Sequence, residues 1–265
     1  MSSDGTRRER RAHIVVTGAA GAIGGAIARE LARRDRAASL SLVDVDEARS
    51  RGLAAELGDR AEPVAWDLSR PDALPDAVSA LVARRGDIDV LVSCAGVMEI
   101  RSLATTPWET AERLMAIDLT SPLRLMSLLV PGMIAQRRGT IVNVTSMAGV
   151  TPLRGCSYYG AAKAGLAMAS EIARLELAAH GVCVVTVYPG PVRSDLERRA
   201  RAQASPGLLT RIIPTGHPEP LARRVVDACE RHEARVFYPA LYDLAGRVPG
   251  LAARFTRALS PSPIM

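Results

Sequence analysis

The sequence predicts an α/β fold, a doubly wound parallel sheet of seven strands in a single domain, covered by helices on both faces. Short apolar runs alternate with segments of helical spacing along nearly the whole chain. Most of these runs end in Gly, Asp or Ser, residues that stop a strand and open a loop. The 265 residues, 48% hydrophobic and 23% charged, supply enough apolar surface for one large core. Such a sheet binds ligands outside the carboxyl ends of its strands.

Residues 1–11, MSSDGTRRERR, read as a flexible basic tail, and residues 12–240 as the domain itself. Its first strand, HIVVTG, runs into a glycine-punctuated turn and a helix with Ile23, Ile27 and Leu31 at helical spacing. The runs ASLSLVDVD, PVAWDLS and IDVLVSCAG follow as strands two to four, and GTIVNVTS as the fifth. An Ala-rich helix with Leu166, Ile172 and Leu175 as its apolar positions leads to VCVVTVYPG, and RVFYP closes the set. Residues 193–218, polar and then broken by Pro and Gly around Leu208, Leu209, Ile212 and Ile213, are longer than an ordinary connection and predict a substrate lid. In residues 241–265, Leu251, Phe255 and Leu259 alternate with Arg247, Arg254 and Arg257. That pattern suits a membrane-surface helix or, as the commoner use, packing on the pocket or on a subunit neighbour.

Charge and cysteine content remove several function classes. Of the net charge of +6, the first eleven residues supply +2. Nine aromatics and no second dense basic cluster argue against a nucleic-acid surface. Cys94, Cys156, Cys183 and Cys229 lie far apart without metal-ligand or disulfide-framework spacing, so they read as core residues and no metal is expected. The chain shows no run of about 18 apolar residues and no apolar segment near its start, which predicts a cytoplasmic protein.

The turn TGAAGAIGG carries Gly18, Gly21 and Gly24, with Ile23 between the last two. Glycines there allow a pyrophosphate to approach the backbone at a helix N-terminus, where free N–H groups and the helix dipole favour an anion. Twenty residues on, Asp44 ends the second strand. A carboxylate at that place accepts hydrogen bonds from ribose hydroxyls and repels a 2′-phosphate, so NAD is expected and NADP disfavoured. The alternative is that Asp44 caps the next helix and touches no ligand.

Of 34 basic residues, Lys163 is the one lysine; every other is arginine. It stands four residues after Tyr159, so on a helix both project from one face. An ammonium beside a phenol favours the phenolate and makes it a usable acid or base near neutrality. Ser146 ends the fifth strand, where a hydroxyl can hold a substrate oxygen.

With these motifs together, the chain resembles the short-chain dehydrogenase/reductase family over about residues 12–240. The resemblance implies a Rossmann fold in which Tyr159 is the acid/base, Lys163 lowers its pKa and holds the nicotinamide ribose, and Ser146 orients the carbonyl or alcohol. It further implies that Asp67 and Leu68 meet the adenine, that Ala95 and Gly96 form the turn after the fourth strand, and that Pro189, Gly190, Val192 and Ser194 bind the carboxamide side. Several positions depart from the family pattern. Ala22 occupies the middle glycine of the turn, Ser93 and Cys94 replace two asparagines, and Asp118 replaces the helix asparagine of a water-mediated proton relay. Pro122 has no N–H to bond the carbonyl of residue 118, so the relay is expected to survive through that carbonyl, with the Asp118 carboxylate raising the Lys163 pKa.

The function expected is NAD-dependent hydride transfer to or from a hydrophobic secondary alcohol or ketone, by a homodimer or homotetramer. Met98, Met147, Val150, Leu153, Val192, Leu209 and Ile212 are the candidate pocket residues. The alternative is a non-catalytic dinucleotide sensor or scaffold, suggested by Cys94 and Asp118.

Overall fold

The computed structural model describes residues 11–203, 215–240 and Tyr242. Seven strands form one parallel sheet: β1 His13–Thr17, β2 Ser39–Asp44, β3 Ala61–Ala65, β4 Val90–Ser93, β5 Gly139–Val144, β6 Val182–Pro189 and β7 Arg235–Tyr238. Their order across the sheet is β3-β2-β1-β4-β5-β6-β7. The winding reverses between β1 and β4, and at such a switch point the loops splay apart and leave a crevice. All seven strands stand where the sequence predicts them. The third begins two residues earlier than the apolar run suggests and ends before Trp66; Pro63 is tolerated because β3 is an edge strand.

Helices cover both faces. They are α1 Ala22–Arg34, α2 Glu47–Leu57, α3 Leu74–Arg85, α4 Trp108–Met115, α5 Ser121–Gln136, α6 Ser157–Leu177, α7 Asp195–Ala202 and α8 Pro218–Glu230. Successive strand residues point to opposite faces, so each interior strand feeds two cores. Val16, Leu42, Val92, Val142 and Val185 pack under α1 and α8 with Ile27, Leu221 and Val225. Val15, Val43, Leu91, Ile141 and Val184 pack under α3 and α5 with Leu81, Leu125 and Met133. Each fully buried Leu, Ile or Val contributes roughly 1.5–3 kcal/mol relative to exposure. The side chain of Arg34 on α1 reaches Glu30, Asp227 and Glu230, and so ties α1 to α8.

The run Trp108–Gln136, comprising α4, a π turn at Ala116–Thr120 and α5, is long and apolar enough by composition to cross a membrane. Its apolar residues Leu114, Ile117, Leu125, Leu129 and Met133 are buried in the protein's own core. One expectation fails on α6. Leu166 is buried, but Ile172 and Leu175 are exposed. Six residues is about 240° round a helix, so Ile172 cannot share a face with Leu166. The buried stripe is instead Tyr159, Ala162, Lys163, Leu166, Ala167 and Ser170, at spacings of three and four.

Candidate active site

The site lies at the carboxyl ends of β1, β4, β5 and β6. Gly18 adopts φ +68°, and a Cβ there would lie 2.7 Å from the Ala95 backbone; a Cβ on Gly24 would lie 2.2 Å from the Gly18 carbonyl oxygen. The turn is therefore folded as tightly as backbone allows, and it leads straight into the N-terminus of α1 with Gly21 as its cap. Ala22, in place of the usual glycine, is the first helical residue and leaves the turn undisturbed. Asp44 accepts a hydrogen bond from the Ala20 amide (2.9 Å) with one oxygen and from the Asp46 amide (3.0 Å) with the other. The cap of α2 is Asp46, which accepts from the Arg49 amide. Asp44 is thus bound to the glycine turn and does not cap the following helix.

Asp67 turns back on its own loop. The Ser69 hydroxyl and amide donate to it and hold its carboxyl below the ordinary range. The Leu68 carbonyl accepts from the Ser121 hydroxyl, which anchors this loop to α5. Ser93 and Cys94 lack the amides expected of this turn, and Thr17 supplies replacement bonds. Its hydroxyl accepts from the Cys94 and Ala95 amides at 3.1 and 3.2 Å. Sequence reasoning missed Thr17, for which the one available signal was a hydroxyl at the last position of β1.

Ser146, Tyr159 and Lys163 meet at one wall of a cavity of about 290 Å³. Ser146 leaves β5, accepts from the Ala148 amide (3.1 Å) and hydrogen-bonds the Tyr159 phenol. The Lys163 ammonium donates to the Val144 carbonyl at 3.2 Å and lies 5.9 Å from the centre of the Tyr159 ring. Tyr158 points away and packs edge-on against Trp108. Of the expected cofactor contacts, Ile23, Gly96, Pro189, Gly190, Val192 and Ser194 also line the cavity, whereas Gly18, Gly21, Gly24, Asp44, Asp67, Leu68 and Ala95 are not part of its lining. The Ser194 hydroxyl accepts from the Glu197 amide and caps α7. Of the expected pocket residues, Met98, Met147, Leu153 and Val192 line the cavity; Val150 packs behind Met147, and Leu209 and Ile212 lie outside the described residues. Ile100, Leu196 and Ala200 complete the apolar wall, and the Tyr242 ring lies against Gly190.

Asp118 falls beside Lys163. One carboxylate oxygen is 2.8 Å from the ammonium and the other accepts from the Val97 amide at 3.1 Å. Asp118 has no exposed surface, and Lys163 is 4% exposed. Burial works against the ammonium, but Asp118 and the Tyr159 phenol together outweigh it and hold the Lys163 pKa above the ordinary lysine value. The expectation of a lowered Tyr159 pKa does not hold for the chain without cofactor. Burial pushes the phenol up, Lys163 pulls it down, and Asp118 adds to the upward push. Burial also pushes the Cys94 thiol up to about 12, so it is no thiolate beside this site.

The arrangement joins a tight glycine turn at a helix N-terminus to a hydroxyl, a phenol and an ammonium in a mostly apolar chamber. A profile of the short chain dehydrogenases matches residues 12–205. The chain belongs to the short-chain dehydrogenase/reductase family. It is an oxidoreductase of that family, and the non-catalytic alternative is set aside. An uncharacterized oxidoreductase of Myxococcus xanthus is 35% identical over 69% of this chain and 72% of its own length. The 3-oxoacyl-(acyl-carrier-protein) reductase of Vibrio cholerae is 31% identical over 76% of this chain and 82% of its own. Among solved structures, a short-chain dehydrogenase from Sphingobium yanoikuyae in complex with NADPH superposes with a TM-score of 0.77 at 29% identity, covering 91% of this chain and 95% of that one. A metagenomic short-chain oxidoreductase in complex with NADP gives 0.71 at 30%, over 85% and 94%. A nicotinamide dinucleotide fits the residues present in this short-chain dehydrogenase, because the backbone approach at Gly18 and Gly24 keeps the turn clear of side chains and the cavity adjoins it.

Proposed function

We propose that this enzyme transfers a hydride between NAD and a hydrophobic secondary alcohol or ketone. The observation that carries the reading is the convergence of Ser146, Tyr159 and Lys163 on a cavity whose remaining wall is mostly apolar, with Met98, Ile100, Met147, Leu153, Val192 and Leu196. The nicotinamide, when bound, supplies or accepts the hydride. In the reductive direction the Ser146 hydroxyl holds the carbonyl oxygen, and the Tyr159 phenol donates a proton to it as carbon gains the hydride. In the oxidative direction the phenolate takes the hydroxyl proton. Lys163 stabilises that phenolate and offers an N–H to a ribose hydroxyl.

The choice of NAD rests on the Asp44 carboxylate, followed by Val45 and Asp46 with no adjacent base to receive a 2′-phosphate. NADP-bound relatives make the comparison of the two cofactors essential. The stripe of Met168, Ile172 and Leu175 on α6, exposed by 63%, 47% and 71%, supports a homodimer or homotetramer in which a second copy covers it. Four free cysteines among the described residues suit a reducing compartment such as the cytoplasm. The substrate-lid and C-terminal assignments remain part of this reading, supported by α7 and Tyr242 at the cavity wall.

The test is turnover of a panel of apolar alcohols and ketones with NAD and NADP, read by reduced-nicotinamide absorbance. Tyr159→Phe is expected to abolish turnover and leave NAD binding within about threefold, because one proton carrier is lost and little surface changes. Tyr158, about 100° round the helix, is the control, and Tyr158→Phe is expected to stay active. Near-normal turnover in Tyr159→Phe overturns the assignment.

A further inference from the structure

We propose that Asp118 is a positioning residue: its buried ion pair with Lys163 fixes the ammonium and cancels its charge, so that Tyr159 keeps its proton through the neutral range and the site is set for carbonyl reduction. The inference rests on the oxidoreductase chemistry proposed above and adds a direction to it.

The geometry is specific. Asp118 stands in the π turn between α4 and α5, 45 positions before Lys163, and reaches the ammonium at 2.8 Å from a fully enclosed position. Its second oxygen is held by the part-buried Val97 amide, so the carboxylate cannot swing away from the lysine without giving up that bond. Gly96 makes the space, since a Cβ there would lie 2.7 Å from the nearer Asp118 oxygen and 3.4 Å from the Lys163 nitrogen. The Lys163 ammonium thus stands between the Asp118 carboxylate and the Val144 carbonyl, at the wall of the cavity.

The charge arithmetic follows from the groups that face the phenol. At 2.8 Å the pair reads as Lys163 +1 and Asp118 −1: burial pushes the Asp118 carboxyl up, while the Lys163 ammonium and the Val97 amide pull against that push. The Cys94 thiol on the β4 loop, with Asp44 beyond it, and the Cys156 thiol just before α6 are both pushed up by burial and neutral. On α7, Arg201 and Glu197 pair with one another. Ser146 is an uncharged hydrogen-bond partner. A phenolate at Tyr159 would therefore form in a buried space with no net cation to balance it, which is costly in low dielectric. The proton stays on the phenol. Reduction needs that proton delivered to the carbonyl oxygen, and oxidation needs it absent. The expected profile has reduction fast at neutral pH and oxidation rising only on the alkaline side. An uncharged side chain at 118 would leave the ammonium unneutralised and remove the repulsion of the phenolate. Both changes favour the phenolate while Lys163 stays charged.

Two measurements on the cofactor-free protein decide it. With tyrosine labelled at Cζ, and the Tyr159 signal assigned by its loss in Tyr159→Phe, ¹³C NMR is expected to show Tyr159 protonated to at least pH 9 in the wild type. In Asp118→Asn the midpoint is expected to fall by about one unit or more, the usual effect of a neighbouring charge at this range. Because Lys163 is the sole lysine in the chain, its labelled Cε gives an unambiguous signal, expected to show an ammonium throughout this range in the wild type. A wild-type Tyr159 titrating near pH 7 overturns the proposal without any variant. An unchanged or raised midpoint in folded Asp118→Asn overturns it as well. In turnover assays the acid limb of the alcohol-oxidation profile is expected to move to lower pH by the same shift in Asp118→Asn. If no alcohol or ketone turns over, the functional reading fails while the NMR titrations still decide the role of Asp118.

Discussion

The Asp44 carboxylate gives one oxygen to the Ala20 amide and the other to the Asp46 amide, so a side chain at the end of β2 is locked onto the glycine turn. An anion fixed there keeps the second lone pair on each oxygen for ribose hydroxyls and would repel a 2′-phosphate. Asp44→Ala is expected to narrow the ratio of NAD to NADP affinity by roughly tenfold or more, on the scale of a lost charged hydrogen bond. Titration of both cofactors against wild type and variant checks it; a ratio unchanged while the thermal midpoint falls would make Asp44 a purely structural residue. Lys163 and Asp118 show the opposite economy of exposure. Removing one member of such an enclosed pair typically costs about 3–5 kcal/mol, because the other is left as a buried charge. That cost falls on asparagine as well as alanine at position 118; asparagine is the informative change because it keeps the shape and an oxygen able to accept from the Val97 amide or the Lys163 ammonium.

Among the elements, α7 matters most for access to the site. Leu196 and Ala200 face the cavity, and both ends of the helix are tied to other elements. At its start, Asp195 faces Arg49 of α2 at 3.5 Å. Just beyond its end, the Gln203 side chain accepts from the Ile100 amide (2.9 Å) and donates to Glu99 (3.2 Å). These contacts join α7 to the loop after β4, on the far side of the cavity. Gln203→Ala removes two hydrogen bonds worth about 0.5–1.5 kcal/mol each, so KM for whichever substrate turns over is expected to rise several-fold with kcat less affected. NAD affinity measured by titration should stay within about twofold. A lowered kcat with unchanged KM would instead place Gln203 with the chemistry. The helix α6 illustrates how far element-level patterns can be read. Tyr159 and Lys163 at a spacing of four put both on its buried stripe, as expected, but Ile172 and Leu175 fall outside that stripe because apolar content alone does not specify phase.

At the scale of the whole molecule, His13 and Glu30 show that stability on the acid side is lost over separate pH ranges. His13, at the amino end of the sheet, is enclosed between Ser41 (2.9 Å from Nε2) and the Gly86 carbonyl (3.1 Å from Nδ1). Burial lowers its pKa below the ordinary 6.5. The folded state thus prefers the neutral ring; its contribution is complete above the unfolded value and is lost as pH falls below about 6.5. The Glu30 carboxyl, held down to about 2 by the Arg33 and Arg34 guanidinium groups, loses its contribution only between about 4.5 and 2. Thermal unfolding followed from pH 8 to 4 is expected to show a first decline beginning between pH 7 and 6, flattened in His13→Gln. An unchanged slope in that variant would mean that another group carries the first transition.

The sequence by itself determined the seven-strand alternation, the glycine turn with Asp44 twenty residues on, and the pairing of Tyr159 with Lys163 behind Ser146. Each is a local pattern, because strand period, helix period and turn chemistry act over a few residues. Distant contacts were decided by the tertiary structure alone. Thr17 reaches Cys94 and Ala95, and Gln203 reaches Glu99, because parallel crossovers bring chain segments together that no spacing relates. The nearness of Asp118 to Lys163 followed from the family resemblance, and the fold decided that they meet directly at 2.8 Å. The direction of the Tyr159 shift belongs to the same class. Four residues of spacing say that an ammonium is near the phenol, whereas the phenol's charge state depends on burial and on every other charge enclosed with it, and those are properties of the folded site.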